Sequence, residues 1–232
     1  MLRRASAFVL LLAVATAPLV GRAGALGALL LSDGFESFTS QAAWADGSVH
    51  GLWTAVYNGY GTTNVVSDAS AGSRTLQEKP KASTSPGETH AGLVTSVARF
   101  ADMDAALRYK TVQQLRTPTP NKWEVGWVLW HHTDDTHFYY FVAKPNGWEL
   151  GKEDPAYPGA QRYLATGSNV KFPIRTWYTV RVRQVASTIT VWVNGTQIVS
   201  FTDNQRPYTL GDIGLYNEDS QVRFDSVTVN TP

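Results

Sequence analysis

One dipeptide restricts this chain more than any other feature: Asn194-Gly195, set inside an unbroken two-residue alternation, "STITVWVNGTQIVSF". Ile189, Val191 and Val193 alternate with Thr188, Thr190 and Trp192 before it. Asn-Gly favours the two-residue hairpin turn, whose central positions both need positive φ, so the stretch predicts a β-hairpin. The run before it, "WYTVRVRQV", puts Tyr178, Val180 and Val182 on one face and Thr179, Arg181 and Arg183 on the other, the pattern of a half-solvated antiparallel strand. "GDIGLYNEDSQVRFDSVTV" predicts two more strands around a polar turn at Asn217 to Ser220. "KWEVGWVLWHHTDDTHFYYFVAK" predicts a strand, a turn at Thr133 to Thr136 and a returning strand, and Pro145-Asn146-Gly147 turns the chain again into Trp148 to Lys152. The Pro-, Ser- and Thr-rich stretch from Glu78 to His90 reads as a surface loop. From Ser32 onward no helical periodicity lasts beyond about a turn or two, and roughly a dozen short strands without helices predict an all-β fold, a two-sheet antiparallel sandwich.

Charge excludes some partners. Lys and Arg total 20 against 19 Asp and Glu, so neither sign supplies a field for nucleic acid. Aromatic side chains are abundant, with 8 Trp and 10 Tyr, enough both for a large β core and for flat faces offered to ligands. The chain has no cysteine, which removes thiol catalysis and zinc–thiolate sites. Residues 1–25 predict an export signal: Arg3 and Arg4, an apolar run from Phe8 to Val14, and Ala23-Gly24-Ala25 as a cleavage site. That run is too short to span a bilayer, so the expected product is a secreted monomer of one domain, residues 26–232, with no membrane span.

Four stretches carry a resemblance: "DGFESF" with its following Trp44, "VGWVLWHHTDDTHFYYFVAKPNGWELGK", "TWYTVRVRQVASTITVWVNGTQIVSF" and "IGLYNEDSQVRFDSVTV". Together they resemble the concanavalin A-like lectin/glucanase superfamily, and within it the jelly-roll domains of 3-keto-disaccharide hydrolases and related carbohydrate-binding modules. The resemblance implies a concanavalin A-like jelly roll in which one sheet curves and its concave face binds a polysaccharide or oligosaccharide. It also implies a structural calcium where the opening and closing strands meet, with Asp33, Glu36 and Asp225 at matching places; a turn at Asp33-Gly34 and a strand-end role for Asp225 explain the same residues. The E-x-D-x-x-E strand of family 16 glycoside hydrolases does not occur.

Alternation sorts the candidate residues by face. Trp123, Val125, Trp127 and Leu129 form the side expected in the core, leaving Glu124, Gly126, Val128 and Trp130 outward. Tyr140 and Lys144 share a face with Phe138, and Glu149 lies beyond the turn. Glu124, Tyr140, Lys144 and Glu149 would then line one face, with Glu153 and Asp154 at its rim. Two carboxylates flanking a glycosidic bond divide acid and base roles; an ion-compensated sheet surface accounts for the same charges. Jelly-roll lyases use His, Tyr, Arg and Lys, for which His90, Arg116, His137, Tyr139 and Tyr140 are available. Two functional readings follow: a secreted enzyme that cleaves glycosidic bonds by hydrolysis or elimination, and a carbohydrate-binding module whose Trp130, Trp148 and Tyr157 stack on sugar rings. A protein-interaction domain of the laminin-G type is the third, resting on fold alone.

Overall fold

The computed structural model describes residues 27–39 and 41–232, and the expected export signal lies outside them. Short alternating segments broken by Gly, Pro, Asn and Asp become strands in chain order: β1 (Leu29–Asp33), β2 (Val49–His50), β3 (Trp53–Tyr57), β4 (Thr62–Asp68), β5 (Ser73–Lys79), β6 (Ala91–Ser96), β7 (Met103–Gln114) and β8 (Gly126–Asp134). There follow β9 (His137–Lys144), β10 (Gly147–Glu153), β11 (Gln161–Gly167), β12 (Tyr178–Val185), β13 (Thr188–Val193), β14 (Thr196–Thr202), β15 (Asp212–Glu218) and β16 (Ser220–Asn230). No helix occurs among the described residues.

Two antiparallel sheets result. The first runs β14-β13-β12-β7-β16-β5-β4, and β1 joins it alongside β16. The second runs β11-β10-β9-β8-β15-β6-β3-β2. The last strand therefore lies inside the first sheet. It pairs with β7 along most of its length, while Val222–Phe224 pairs with β5 and Val227–Asn230 with β1. The Asn194-Gly195 hairpin forms between β13 and β14, with both residues at positive φ, +50° and +80°.

The core lies between the sheets. Ile189, Val191, Val193, Val180 and Val182 enter it from the first sheet as the alternation predicts. From the second sheet come Val128, Trp130, Tyr139, Phe141, Trp148 and Leu150. That inverts the expected orientation of β8, because Trp127 and Leu129 join Tyr140 and Val142 in a separate apolar cluster on the outward face. Both faces of β8 and β9 are apolar, so alternation gives their period but not their direction. Gly126 carries the missing information: a Cβ there would stand 2.8 Å from Tyr109 and Val222 of the first sheet. A glycine in a strand marks such a close approach, and the even-numbered residues of β8 consequently face inward as far as Trp130.

Candidate active site on the outward face of the second sheet

The site is built on one row of the ladder. Tyr216 of β15, Trp127 of β8, Val142 of β9 and Glu149 of β10 lie opposite one another in register across four neighbouring strands. Period two keeps them on a single face. Trp127 forms the floor of a cleft of about 390 Å³, with Val142 buried in the same apolar cluster, and the walls are Lys144 and Glu149 on one side and Glu218 on the other. Trp123 and Tyr163, 44% and 55% exposed, form the rim. The indole of Trp127 donates to the Trp123 carbonyl at 2.9 Å and meets the Tyr216 ring edge-on at 5.5 Å, which fixes the floor.

The two walls carry carboxyls in different surroundings. The Lys144 ammonium is ion-paired to the Glu149 carboxylate. Opposite it, burial raises Glu218 above the usual carboxylate range, and the neighbouring Asp219 and Glu124 charges add to the effect, against hydrogen bonding from Tyr216 and the charge of Arg116. The Tyr216 hydroxyl donates to Glu218 Oε1 at 2.9 Å. Farther along β10, Glu153 is pushed up to about 7 by burial and then by the charge of Glu218, and no cation pairs with it among the described residues. Tyr140 lies beneath these groups, accepting from Gln161 Nε2 at 3.1 Å, and burial holds its phenol well above its ordinary range.

Other expected site residues lie elsewhere. Glu124 precedes β8 and is fully buried, bound by Arg116 and by Asn121, whose backbone N–H and side-chain amide donate at 3.0 and 2.8 Å. It shares no face with Glu149, because β8 starts at Gly126 and the turn from Asn121 directs the glutamate inward. Arg116 is buried too, donating to Ser85 O, Glu88 O and Asp219 at 2.8, 2.7 and 2.6 Å. His90 is held at 3.1 Å from Ser83 Oγ. Trp130 and Trp148 are core residues rather than sugar platforms: Trp130 Nε1 donates to Gln184 at 2.7 Å, and Trp148 stacks on Phe141 with centroids 6.4 Å apart. His137 pairs with Asp134 at 2.9 Å in the β8–β9 turn, and Tyr157 is an exposed residue of the β10–β11 loop; neither lines the cleft.

The charges of β10 thus serve two faces. Glu149 and Glu153 point outward, whereas Lys152 points inward and is fully buried against Asp203 at 2.7 Å and Asp154 at 3.6 Å. The residues with which calcium was expected are each engaged by protein groups. Asp33 accepts from Phe35 N and Trp53 Nε1 at 2.7 and 2.8 Å, and Glu36 from Arg74 N at 2.9 Å. Asp225 is ion-paired to the Arg108 guanidinium. Among the described residues no group of three His, Cys, Asp or Glu could hold a metal ion.

Glu218, Tyr163, Gln161 and Lys122 escaped the sequence reading, which assigned Trp127 to the core. Glu218 was hidden in a presumed four-residue turn that contains only one residue outside the strands, Asp219 at φ +38°. Its alternation with Tyr216 was the available signal.

Solved structures share the fold. A carbohydrate-binding module, CBM66, from Bacillus subtilis superposes with a TM-score of 0.56 at 12% identity, covering 82% of this chain and 99% of its own. A Bacillus licheniformis β-glucanase gives 0.55 at 15% identity, covering 89% and 99%. A Bacillus subtilis protein with a galectin-like fold gives 0.57 at 12%, covering 89% and 97%. A search of curated proteins finds no match. At such identities the likeness establishes the jelly-roll sandwich fold alone, and the sequence match is more specific: the model of the 3-keto-alpha-glucoside-1,2-lyase-like domain fits residues 39–230, so the chain belongs to that family.

Proposed function

We propose that this is a secreted enzyme that cleaves the glycosidic bond of a small glycoside or glycan chain in the Trp127 cleft. Glu218 acts as the acid and Glu149 as the base. The observation that carries this reading is the pair of unlike carboxyls across one aromatic floor: Glu149 ion-paired to Lys144, Glu218 raised by burial. Environments that push two carboxyls apart assign acid and base roles. The backbones of β15 and β10 lie three strand spacings apart, roughly 14 Å. Two glutamates reaching inward across that span leave room for a ring between them, which favours elimination or inverting hydrolysis over direct nucleophilic attack.

The family description supports elimination. In a 3-keto-glucoside the C2–H is acidified by the neighbouring ketone. Glu149 takes that proton, the C1–C2 double bond forms, the C1–O bond breaks, and the departing oxygen receives the proton of Glu218. In hydrolysis the same base takes its proton from water. Export is supported by the Arg3-Arg4, Phe8–Val14 and Ala23-Gly24-Ala25 pattern.

Purified protein incubated with a 3-keto-α-glucoside and with the unoxidised glucoside tests the reading. Release of the leaving alcohol with a rise in ultraviolet absorbance from the conjugated enone indicates elimination, and reducing sugar from the unoxidised glucoside indicates hydrolysis. Binding without turnover of either would favour a carbohydrate-binding module, for which the exposed rings of Trp123 and Tyr163 speak.

A further inference from the structure

Glu218 borders one cavity, and its partner across the ladder borders another. Ala91 of β6 pairs with Glu218 on the side away from β8. It lines a cavity of about 320 Å³ together with Tyr57, Tyr60 and His90. Resting on the carbohydrate reading above, we propose that this second cavity is a sugar-ring subsite with Tyr60 as its stacking platform. The protein then takes a glycoside of at least two rings laid across the strands, with the bond between them above Glu218.

Tyr60 carries the inference. It is 87% exposed, so its ring contributes little to the core. It also adopts φ +59°, a left-handed conformation that a bulky residue rarely takes. A strained, exposed aromatic residue gives folding no return, and such positions concentrate where a ligand is held.

The surrounding chain fixes it there. Gly59, at φ +60°, is wedged so that a Cβ would stand 2.5 Å from Ala91 O, and one on Gly61 would stand 2.1 Å from Lys79 O. Lys81 N donates to Gly59 O at 3.0 Å, and Gly61 N to Asn58 O at 3.1 Å. The Tyr60 ring stands perpendicular to the His90 imidazole, with centroids 5.7 Å apart, and His90 is itself anchored by Ser83. One ring is thereby presented in a set orientation beside the polar groups Asp46 and Thr89, an apolar plate with hydroxyl partners at its edge.

Calorimetric titration with methyl α-glucoside and with α-linked gluco-oligosaccharides of two to four units tests this. In the parent protein affinity should rise about tenfold or more from the methyl glucoside to the longer sugars. Tyr60→Ala should remove that gain while leaving methyl glucoside binding unchanged, and Trp123→Ala should weaken the methyl glucoside. Tyr60→Gly should also lose the gain and should melt above the parent, because glycine relieves the strain. Retention of the gain in both Tyr60 variants, or methyl glucoside binding in the parent with no gain for longer sugars, would remove the second subsite and leave the first cleft standing. Absence of binding by every sugar would overturn both.

Discussion

Tyr216 and Glu218 stand two residues apart on the same face of β15, and the hydroxyl of the first donates to the carboxyl of the second at 2.9 Å. That hydrogen bond favours the ionised acid, while burial favours the protonated one and prevails. Glu218→Gln should lower turnover about 10²–10⁴-fold and leave sugar affinity nearly unchanged, because the amide keeps the shape and loses the proton. Kinetics beside calorimetry on the same preparation check it. Tyr216→Phe should shift the high-pH limb of the rate profile upward.

Lys144→Met should leave Glu149 without the ion pair that holds it at the cleft wall. Turnover should then fall by at least about tenfold, because a general base acts only from within reach of the proton it takes. Turnover equal to the parent's would remove Glu149 from the base role.

Glu78 lies fully buried in the core, close to Gly92, with neither carboxyl oxygen hydrogen-bonded, and burial raises it well above its usual range. Glu153 and Glu218 are raised too. For each, the folded state binds the proton more tightly than the unfolded chain, so stability is fully present below about pH 4.5 and is lost as the pH rises, for Glu153 through about 7. The melting temperature should therefore fall between pH 5 and pH 8. Glu78→Gln should raise it at pH 8 by at least about 2 °C, the shift produced by roughly 1 kcal/mol in a domain of this size, and do less at pH 4.5.

Trp130→Ala and Trp123→Ala should separate core from rim. Removing the buried ring should cost roughly 3–5 kcal/mol, whereas the exposed one should stay within about 0.5 kcal/mol of the parent. Thermal melts of both variants distinguish the two positions.

Lys152→Met should destabilise by about 3–5 kcal/mol, because it leaves Asp203 buried without its ammonium partner. A Lys152→Met, Asp203→Leu double variant should recover part of the loss in a denaturant titration.

The strands were legible where one face is polar. Val180 and Val182 opposite Arg181 and Arg183 fixed β12, and Asn194-Gly195 fixed its neighbouring hairpin. Orientation was not legible in β8 and β9, where a second apolar cluster covers the outer face, and so Trp127 and Trp130 exchanged sides. That Tyr140, Lys144 and Glu149 share one face could be read because the two-residue turn at Pro145-Asn146 sets the register of β10 on β9, though not which way that face points. Glu124 could not be placed, since its inward direction depends on Arg116 and Asp219, which approach from distant parts of the chain.

The inner position of β16 has a consequence for assembly. β7 and β5 are separated by the slot that Val222 and Phe224 fill, and β1 has no partner until Val227 and Val229 arrive. The joining of β7, β5 and β1 into the first sheet must therefore wait for the final segment, which delays its closure in a chain proposed to be threaded outward from its amino end. The same arrangement leaves the two tips side by side, with Thr231 N donating to Ala28 O at 2.8 Å. A linker of a few residues could join them, and a circular permutant opened in the 168–177 connection would deliver the central strand early in synthesis.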